Sequence, residues 1–208
     1  MTRLVIIGAG GHGAVVADAA ASCNVWSEIV FLDDKNFRGM NVLGFPVIGR
    51  VSDWIGLIGQ DTEFFVAIGN NSIRLEVLQT IEDRGGRVAT VMHPSAVISS
   101  YSNVDLGVVI CAKAVINPRV TVGKGSIINT AATIDHDCVI GDSVHVSPGV
   151  HIAGNVVVGS RSWFGIASSV KEGIHVGEDV VVGAGAVVIS DVPPGITVVG
   201  VPAKPIAR

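Results

Sequence analysis

From Ile98 onward an apolar residue stands at every sixth position: Ile98, Val104, Ile110, Ile116, Val122, Ile128, Ile134, Ile140, Val146, Ile152, Val158, Phe164, Val170, Val176, Val182 and Val188. All but Phe164 are β-branched. A period of six belongs neither to an amphipathic helix nor to a half-buried strand. It suits a triangular coil. Three short strands make one turn of about 18 residues, and parallel turns stack so that each periodic side chain rests on its equivalents above and below. The next residue is often Gly, Asn, Asp, Ser or Ala, and small residues near the corners let the chain turn tightly. The fourth residue after each periodic position is usually Ala, Ser, Cys or Val, a second inward row. About five coils are expected. The "DVPPG" after Val188 is expected to end the stacking, since proline cannot donate to a ladder.

Residues 1–92 follow another grammar. "RLVIIGA" is the continuous apolar run of a strand buried on both faces, "GHGAVVADAAASC" reads as helix and "EIVFLDD" as strand. A looser stretch holds "VLGFPVIG" and "DWIGLIG", and "EFFVAIG" is a further strand. "NSIRLEVLQTIEDRGG" then predicts a helix with Asn71 as cap, Ile73, Val77 and Ile81 on one stripe, and Gly85-Gly86 as the stop. "RVATVM" closes the half. Alternating strands and helices predict a small parallel sheet with helices packed on it.

Composition narrows the partners. A formal net charge of −4 with 14 Lys plus Arg leaves no basic stripe for nucleic acid. The mean hydropathy of +0.57 raises the question of a membrane, but Gly, Asp or Ser interrupts every apolar run short of the ~18 residues a spanning helix needs. The N-terminus imitates a signal peptide until its four glycines, His12 and Asp18 break the pattern. Cys23, Cys111 and Cys138 are odd in number and lack metal-type spacing, which points to a reducing cytoplasm.

"GAGGHG" places Gly8, Gly10 and Gly13 in dinucleotide-binding spacing, after a strand and opening a helix, with Asp33 and Asp34 about 20 residues on. Small residues there let backbone N–H groups and a helix N-terminus approach a phosphate. A tight turn that needs glycine and binds nothing is the plain alternative. One domain of about 90 residues has too few strands for two mononucleotide halves, so a nucleotide sugar fits better than NAD. An aspartate is expected to accept a hydrogen bond from the base or ribose.

Position within the repeat sorts the histidines. His136 and Asp137 fall two and three residues after inward Ile134, at a corner, whereas His145 and His151 each precede an inward residue and project from flat sides. An isolated outward histidine is usually only solvated, and His151 is read so. His136 differs because Asp135 and Asp137 flank it; a neighbouring carboxylate orients an imidazole and raises its basicity, as a general base near neutral pH requires. Zinc binding is the rival use, but His145 and His151 sit on adjacent sides pointing apart and no cysteine cluster joins them, so no metal is expected. Cys138, four residues after Ile134, is read as core rather than nucleophile.

The repeats, with "IIGAGGHG", "FLDD", "AIGNNSIR", "IDHDCVIG", "HVSPG" and "GVPAK", resemble the bacterial hexapeptide-repeat sugar acetyltransferases. These include nucleotide-amino-sugar N-acetyltransferases of the bacillosamine and perosamine types and sialic acid O-acetyltransferase-like proteins. The resemblance covers essentially the whole chain. It implies a Rossmann-like nucleotide-sugar-binding domain over 1–92, an all-β left-handed parallel β-helix that binds acetyl-CoA over 93–192, and a C-terminal tail over 193–208. It makes His136 the catalytic base, Asp137 the acid that tunes it, and His145 a contact of the acetyl-CoA thioester. It puts further donor contacts at Ile166 and Ala184, and the sugar nucleotide at Gly10, Gly11, His12, Asp33, Asp34 and Gly69. Lys204 in "GVPAK" is placed to meet a CoA phosphate, with a solvated C-terminal lysine as the plain alternative. Acetyl-CoA is then the co-substrate.

The nine residues from His136 to His145 are half of an 18-residue coil, so the two lie on different sides of one prism and converge most easily between two prisms. A homotrimer with sites between subunits is therefore expected, which is also what the resemblance implies. His136 would take the amine proton as nitrogen attacks the thioester carbon, and direct transfer is preferred because no activated nucleophile is evident. O-acetylation of a sugar hydroxyl such as that of sialic acid is the alternative. A dinucleotide-dependent oxidoreductase and a non-catalytic scaffold are more distant ones.

Overall fold

The computed structural model describes residues 2–35 and 39–206, and the chain divides into two compact units, Met1–Pro94 and Ser95–Arg208. In the first, β1 (Arg3–Ile7), α1 (Gly11–Cys23), β2 (Glu28–Leu32), β3 (Asn41–Val42), β4 (Phe45–Gly49), β5 (Thr62–Val66), α2 (Asn71–Asp83) and β6 (Arg87–Val88) follow in order. The sheet order is β3-β4-β2-β1-β5-β6, parallel except for β3. Leu4, Val5, Ile6 and Ile7 are all fully buried, which is why the central strand reads as one apolar run without alternation.

The looser stretch holds more structure than its sequence pattern suggested. β3 and β4 form a hairpin whose two turn residues, Leu43 and Gly44, have φ of 52° and 88°, the turn type that matches strand twist. A 3-10 helix over Val51–Leu57 then seats Trp54 edge-on against Phe64, with ring centroids 5.9 Å apart. Helix α2 departs from the sequence reading in two details. Its cap is Asn70, whose side chain accepts from the Ile73 amide, while Asn71 is the first helical residue. The buried stripe is Arg74, Leu78 and Ile81; Ile73 is exposed. A helical face can bury an arginine only where carbonyls satisfy it, and here those of Ile68 and Gly69 do so.

The second unit is a left-handed parallel β-helix with three faces. One face stacks the strands Val109–Ile110, Ile127–Ile128, His145–Val146, Trp163–Phe164 and Val181–Val182. The next stacks Val97–Ile98, Val115–Ile116, Thr133–Ile134, His151–Ile152, Ser169–Val170 and Val187–Val188. The third stacks Asn103–Val104, Thr121–Val122, Val139–Ile140, Val157–Val158 and His175–Val176. Registers such as Ile116↔Ile134 and Ile134↔Ile152 set each periodic side chain on its equivalent one coil away. Ala114, Val120, Ala132, Cys138, Val144, Val150 and Val156 form the second inward row, all fully buried. At Ser126 and Ser162 of that row the hydroxyl is satisfied: Ser126 Oγ donates to Gly141 O and accepts from Val144 N, both at 3.0 Å, and Ser162 Oγ donates to Gly177 O at 2.7 Å.

From Gly107 to Gly185 each corner turns through one left-handed residue, three positions after the inward one. Non-glycine residues occupy it at Lys113, Arg119, Ala131, Asp137, Ser143, Asn155, Arg161, Ala167 and Asp179. This conformation disfavours a Cβ, and the ladder overrides the preference because the corner must close there. Glycine is demanded elsewhere: a Cβ on Gly123, just after Val122, would lie 2.6 Å from the Gly141 backbone in the next coil.

The expectation that "DVPPG" ends the stacking is corrected. Val192 bridges to Val176, Thr197–Val199 pairs in parallel with Val181–Val182, and Lys204–Ile206 returns antiparallel on that strand. The two prolines fall at a corner, outside the ladder, and Pro194 packs so close that a Cβ on Gly177 would come within 2.5 Å of its nitrogen. No helix among the described residues is long and apolar enough to cross a membrane.

Candidate active site

His136 and Asp137 stand together at a corner of the β-helix, after Ile134. Asp137 has φ 61°, a conformation aspartate tolerates better than most residues. That turn aims its carboxylate back at the imidazole, and His136 Nδ1 lies 2.7 Å from Asp137 Oδ2. An ionised carboxylate can only accept, so the Nδ1–H tautomer is selected and Nε2 is left as the basic nitrogen. Hydrogen bonds from Arg119 and then from His136 hold the Asp137 carboxyl well below the usual carboxylate range. Asp135 Oδ1 accepts from the His136 amide and from Asn117 Nδ2, each at 2.8 Å, which fixes the backbone under the imidazole. The His136 amide, the larger cause, and Asn117 lower the Asp135 carboxyl as well.

Three supports of this corner were not singled out in the sequence. Arg119, one coil before Asp137, places Nε 2.5 Å from Oδ1 and Nη2 2.7 Å from Oδ2. Gly154, one coil after His136, leaves room for the ring: a Cβ there would come within 2.7 Å of Cε1 and 2.8 Å of Nε2. Asn117 is the third. The signal for all of them is the offset of 18 that the register imposes, read outward from His136 and its neighbours. Beside this corner a concave region of about 290 Å³ is lined by Asn117, Thr133, Asp135, His151, Ala153 and Ser169, among others. His151, read as merely solvated, contributes to that wall with Nδ1 2.9 Å from Thr133 Oγ1.

His145 lies on another face, in the ladder Ile127↔His145↔Trp163. Its ring stacks on Trp163 with centroids 6.1 Å apart and planes 22° apart, and Trp163 Nε1 donates to Ser147 Oγ at 2.9 Å. Asn129 Nδ2 is 3.4 Å from His145 Nε2. Ile166 and Ala184 are both exposed at the corner that follows this face, in adjacent coils, with Gly185 N donating to Ile166 O at 2.8 Å. Lys204 is exposed on the C-terminal antiparallel strand. Cys138 is fully buried, its thiol 3.1 Å from Ala153 O, and burial pushes it up. Among the described residues no group of three or more His, Cys, Asp or Glu is gathered to hold a metal ion.

In the first unit the expected substrate residues share the carboxyl edge of the parallel strands, where ligands of such sheets bind. Gly10 caps α1, Gly11 and His12 begin it, Asp33 and Asp34 follow β2, and Gly69 lies in the loop after β5. The glycines separate into two kinds. A Cβ on Gly8 would meet Ala67 O at 2.9 Å and one on Gly13 would meet Gly8 O at 2.1 Å, so these two serve packing. Gly10, Gly11 and Gly69 have nothing within 4 Å of an added Cβ, and their backbone faces open space. Asp33 ties the edge together, accepting from Ala9 N at 2.9 Å and Lys35 N at 2.8 Å, while Asp34 accepts from Val51 N at 3.1 Å. Burial first, and the Arg74 charge second, lower His12 to about 4, so its imidazole is neutral at physiological pH. Arg74 itself, fully buried, donates Nη1 to Ile68 O and Gly69 O and Nη2 to Asn71 Oδ1, and so shapes the Gly69 loop.

The chain has known counterparts in sequence and fold. Residues 3–81 match the family described as the PglD N-terminal domain. A UDP-N-acetylbacillosamine N-acetyltransferase of Bacillus subtilis is 34% identical over 114 residues, 54% of this chain and 52% of that protein. The match thus spans about half the length of that curated relative. The acetyltransferase domain of PglB from Neisseria gonorrhoeae, solved with acetyl coenzyme A, superposes with a TM-score of 0.94 at 41% identity over 98% of both chains. A histidine-to-asparagine mutant of perosamine N-acetyltransferase from Caulobacter crescentus, solved with CoA and GDP-perosamine, gives a TM-score of 0.93 at 37% identity, covering 100% of this chain and 98% of that one.

Proposed function

This chain belongs to the hexapeptide-repeat sugar acetyltransferases represented by the PglB acetyltransferase domain and perosamine N-acetyltransferase, and from that premise we propose that it transfers acetyl from acetyl-CoA to the amine of a nucleotide-linked amino sugar. One observation carries the assignment of the chemistry: His136, whose Nδ1 is committed to Asp137 at 2.7 Å and whose Nε2 remains to accept a proton. As the amine nitrogen attacks the thioester carbon, Nε2 takes the amine proton, and Asp137 stabilises the imidazolium that forms. The tetrahedral oxyanion collapses with the C–S bond breaking, and CoA leaves as the thiolate. His145, held flat by Trp163, steadies the thioester oxygen. Ile166, Ala184 and Lys204 bind the donor along its length.

Gly10, Gly11 and Gly69 offer exposed backbone to the phosphates and sugar of the acceptor, His12 supplies a neutral polar ring, and Asp33 and Asp34 receive the base or ribose. His136 follows one face of the β-helix and His145 stands on another, so a single prism does not bring both to one thioester. The working enzyme is accordingly a homotrimer whose sites lie between copies. It works in the cytoplasm, with which its three unpaired cysteines are consistent.

Thiol release from acetyl-CoA, measured against UDP-, GDP- and dTDP-linked amino sugars and against sialic acid, tests this reading. Turnover is expected with an amino sugar and not with a hydroxyl acceptor. His136→Ala is expected to lose about 10²–10⁴-fold in kcat, the usual contribution of general base catalysis, while keeping its fold and assembly. Turnover only with a hydroxyl acceptor, or near-normal rates in His136→Ala, would overturn it.

A further inference from the structure

We infer that Arg119 is a positioning residue for the base: acting through Asp137, it fixes the imidazole of His136 and moderates its basicity. The inference rests on the reading of His136 as the base. Arg119 and Asp137 occupy the same left-handed corner position in adjacent coils, with φ of 62° and 61°, so their side chains leave the prism side by side. The guanidinium meets the carboxylate as a fork, Nε to Oδ1 at 2.5 Å and Nη2 to Oδ2 at 2.7 Å. The second of these oxygens is also the one that His136 Nδ1 approaches at 2.7 Å. Oδ2 therefore lies between a permanent cation and the imidazole.

Two consequences follow from that geometry. A carboxylate gripped at both oxygens cannot rotate away, so the tautomer and direction of His136 persist through turnover. The cation also offsets part of the attraction by which Asp137 favours the imidazolium. Around His136 the other charged or titratable groups are Asp135 on its own corner, bound to Asn117, the buried thiol of Cys138, and His151 in the wall beside that corner. At the corner itself the next coil presents only Gly154 and Asn155, and the one beyond carries Lys171 and Glu172, which lie 3.9 Å from each other. No other arginine or lysine touches Asp137 among the contacts of the described residues. Stability gives a poor account of the pair, since the Arg119 side chain is 66% exposed and exposed ion pairs stabilise a fold little.

The test compares Arg119→Met and Arg119→Lys with the wild type in the full chain. Imidazole titrations are followed by NMR without substrate, the His136 signal being identified by its loss in His136→Gln. Arg119→Met is expected to raise the His136 midpoint as the carboxylate attraction goes unopposed. Its kcat should fall roughly tenfold as the ring loses its fixed direction, with melting temperature unchanged. Arg119→Lys keeps the charge but loses the fork, so the midpoint should stay while kcat falls. Asp137→Asn should move the midpoint the other way, down. An unmoved midpoint in Arg119→Met, or a moved midpoint with wild-type kcat, overturns the inference. Because the titration needs no acceptor, absence of transfer to every amino sugar would sink the acetyltransferase reading separately.

Discussion

Gly154→Ala probes the corner most sharply, because it touches the base without touching its chemistry. A Cβ at this position would lie 2.7 Å from His136 Cε1 and 2.8 Å from Nε2, whereas ordinary contact begins near 3.4 Å. The ring must therefore retreat by about 0.7 Å or rotate off its rotamer, at about 1 kcal/mol for a side chain that is itself half exposed. Global stability should change by no more than that. Catalysis is less forgiving. The 2.7 Å bond from Nδ1 to Asp137 stretches or breaks, and Nε2 no longer points where the amine must be. A displacement of about 1 Å at a reacting group costs about 10²-fold, so kcat should fall by roughly 30- to 100-fold with little change in KM for either substrate. Thiol-release kinetics beside thermal unfolding of the same preparations measure both quantities. A Gly154→Ala enzyme with kcat within about threefold of wild type would show that the ring does not work from the position described, and the reasoning would fail.

The remaining expectations concern the first unit and the donor face. Gly13→Ala, whose Cβ would sit 2.1 Å from rigid backbone at Gly8, should lose about 3 kcal/mol in a denaturant melt, whereas Gly10→Ala and Gly11→Ala should melt normally and raise KM for the nucleotide sugar alone. His12, lowered to about 4 from 6.5, binds its proton more readily in the unfolded chain, so its contribution is complete above pH 6.5 and is lost as pH falls toward 4. The difference in unfolding free energy between wild type and His12→Gln should therefore shrink by about 2–3 kcal/mol from pH 7 to pH 4, and a constant difference would refute it. Trp163→Leu removes the indole stacked on His145 and should raise KM for acetyl-CoA severalfold, measured at saturating acceptor, with the fold retained.

Much of this molecule is written along the chain, but unevenly. The sixteen-membered apolar series is nearly all buried, because a coil of fixed length repeats its inward directions at fixed intervals. Helix α1 begins and ends where "GHGAVVADAAASC" does. The β3–β4 hairpin was harder to read, since a left-handed Leu43 is not a residue that announces a turn. The burial of Arg74 in place of Ile73 was also hidden, because an arginine is a core residue only when carbonyls from another segment meet it. At the site, the Asp-His-Asp triplet stood out by adjacency, whereas Arg119 and Gly154 required the register.

The amino-acid order alone determined that this chain would coil with a six-residue step, that a parallel sheet would precede the coil, and that one histidine would sit between carboxylates at a turn. Those are properties of neighbours and of periodicity, and a sequence carries both directly. Tertiary structure decided which glycines support packing and which face open space, which asparagine caps α2, and which arginine grips Asp137. Each of those outcomes depends on a distance between segments that only the closed ladders and the packed helices establish.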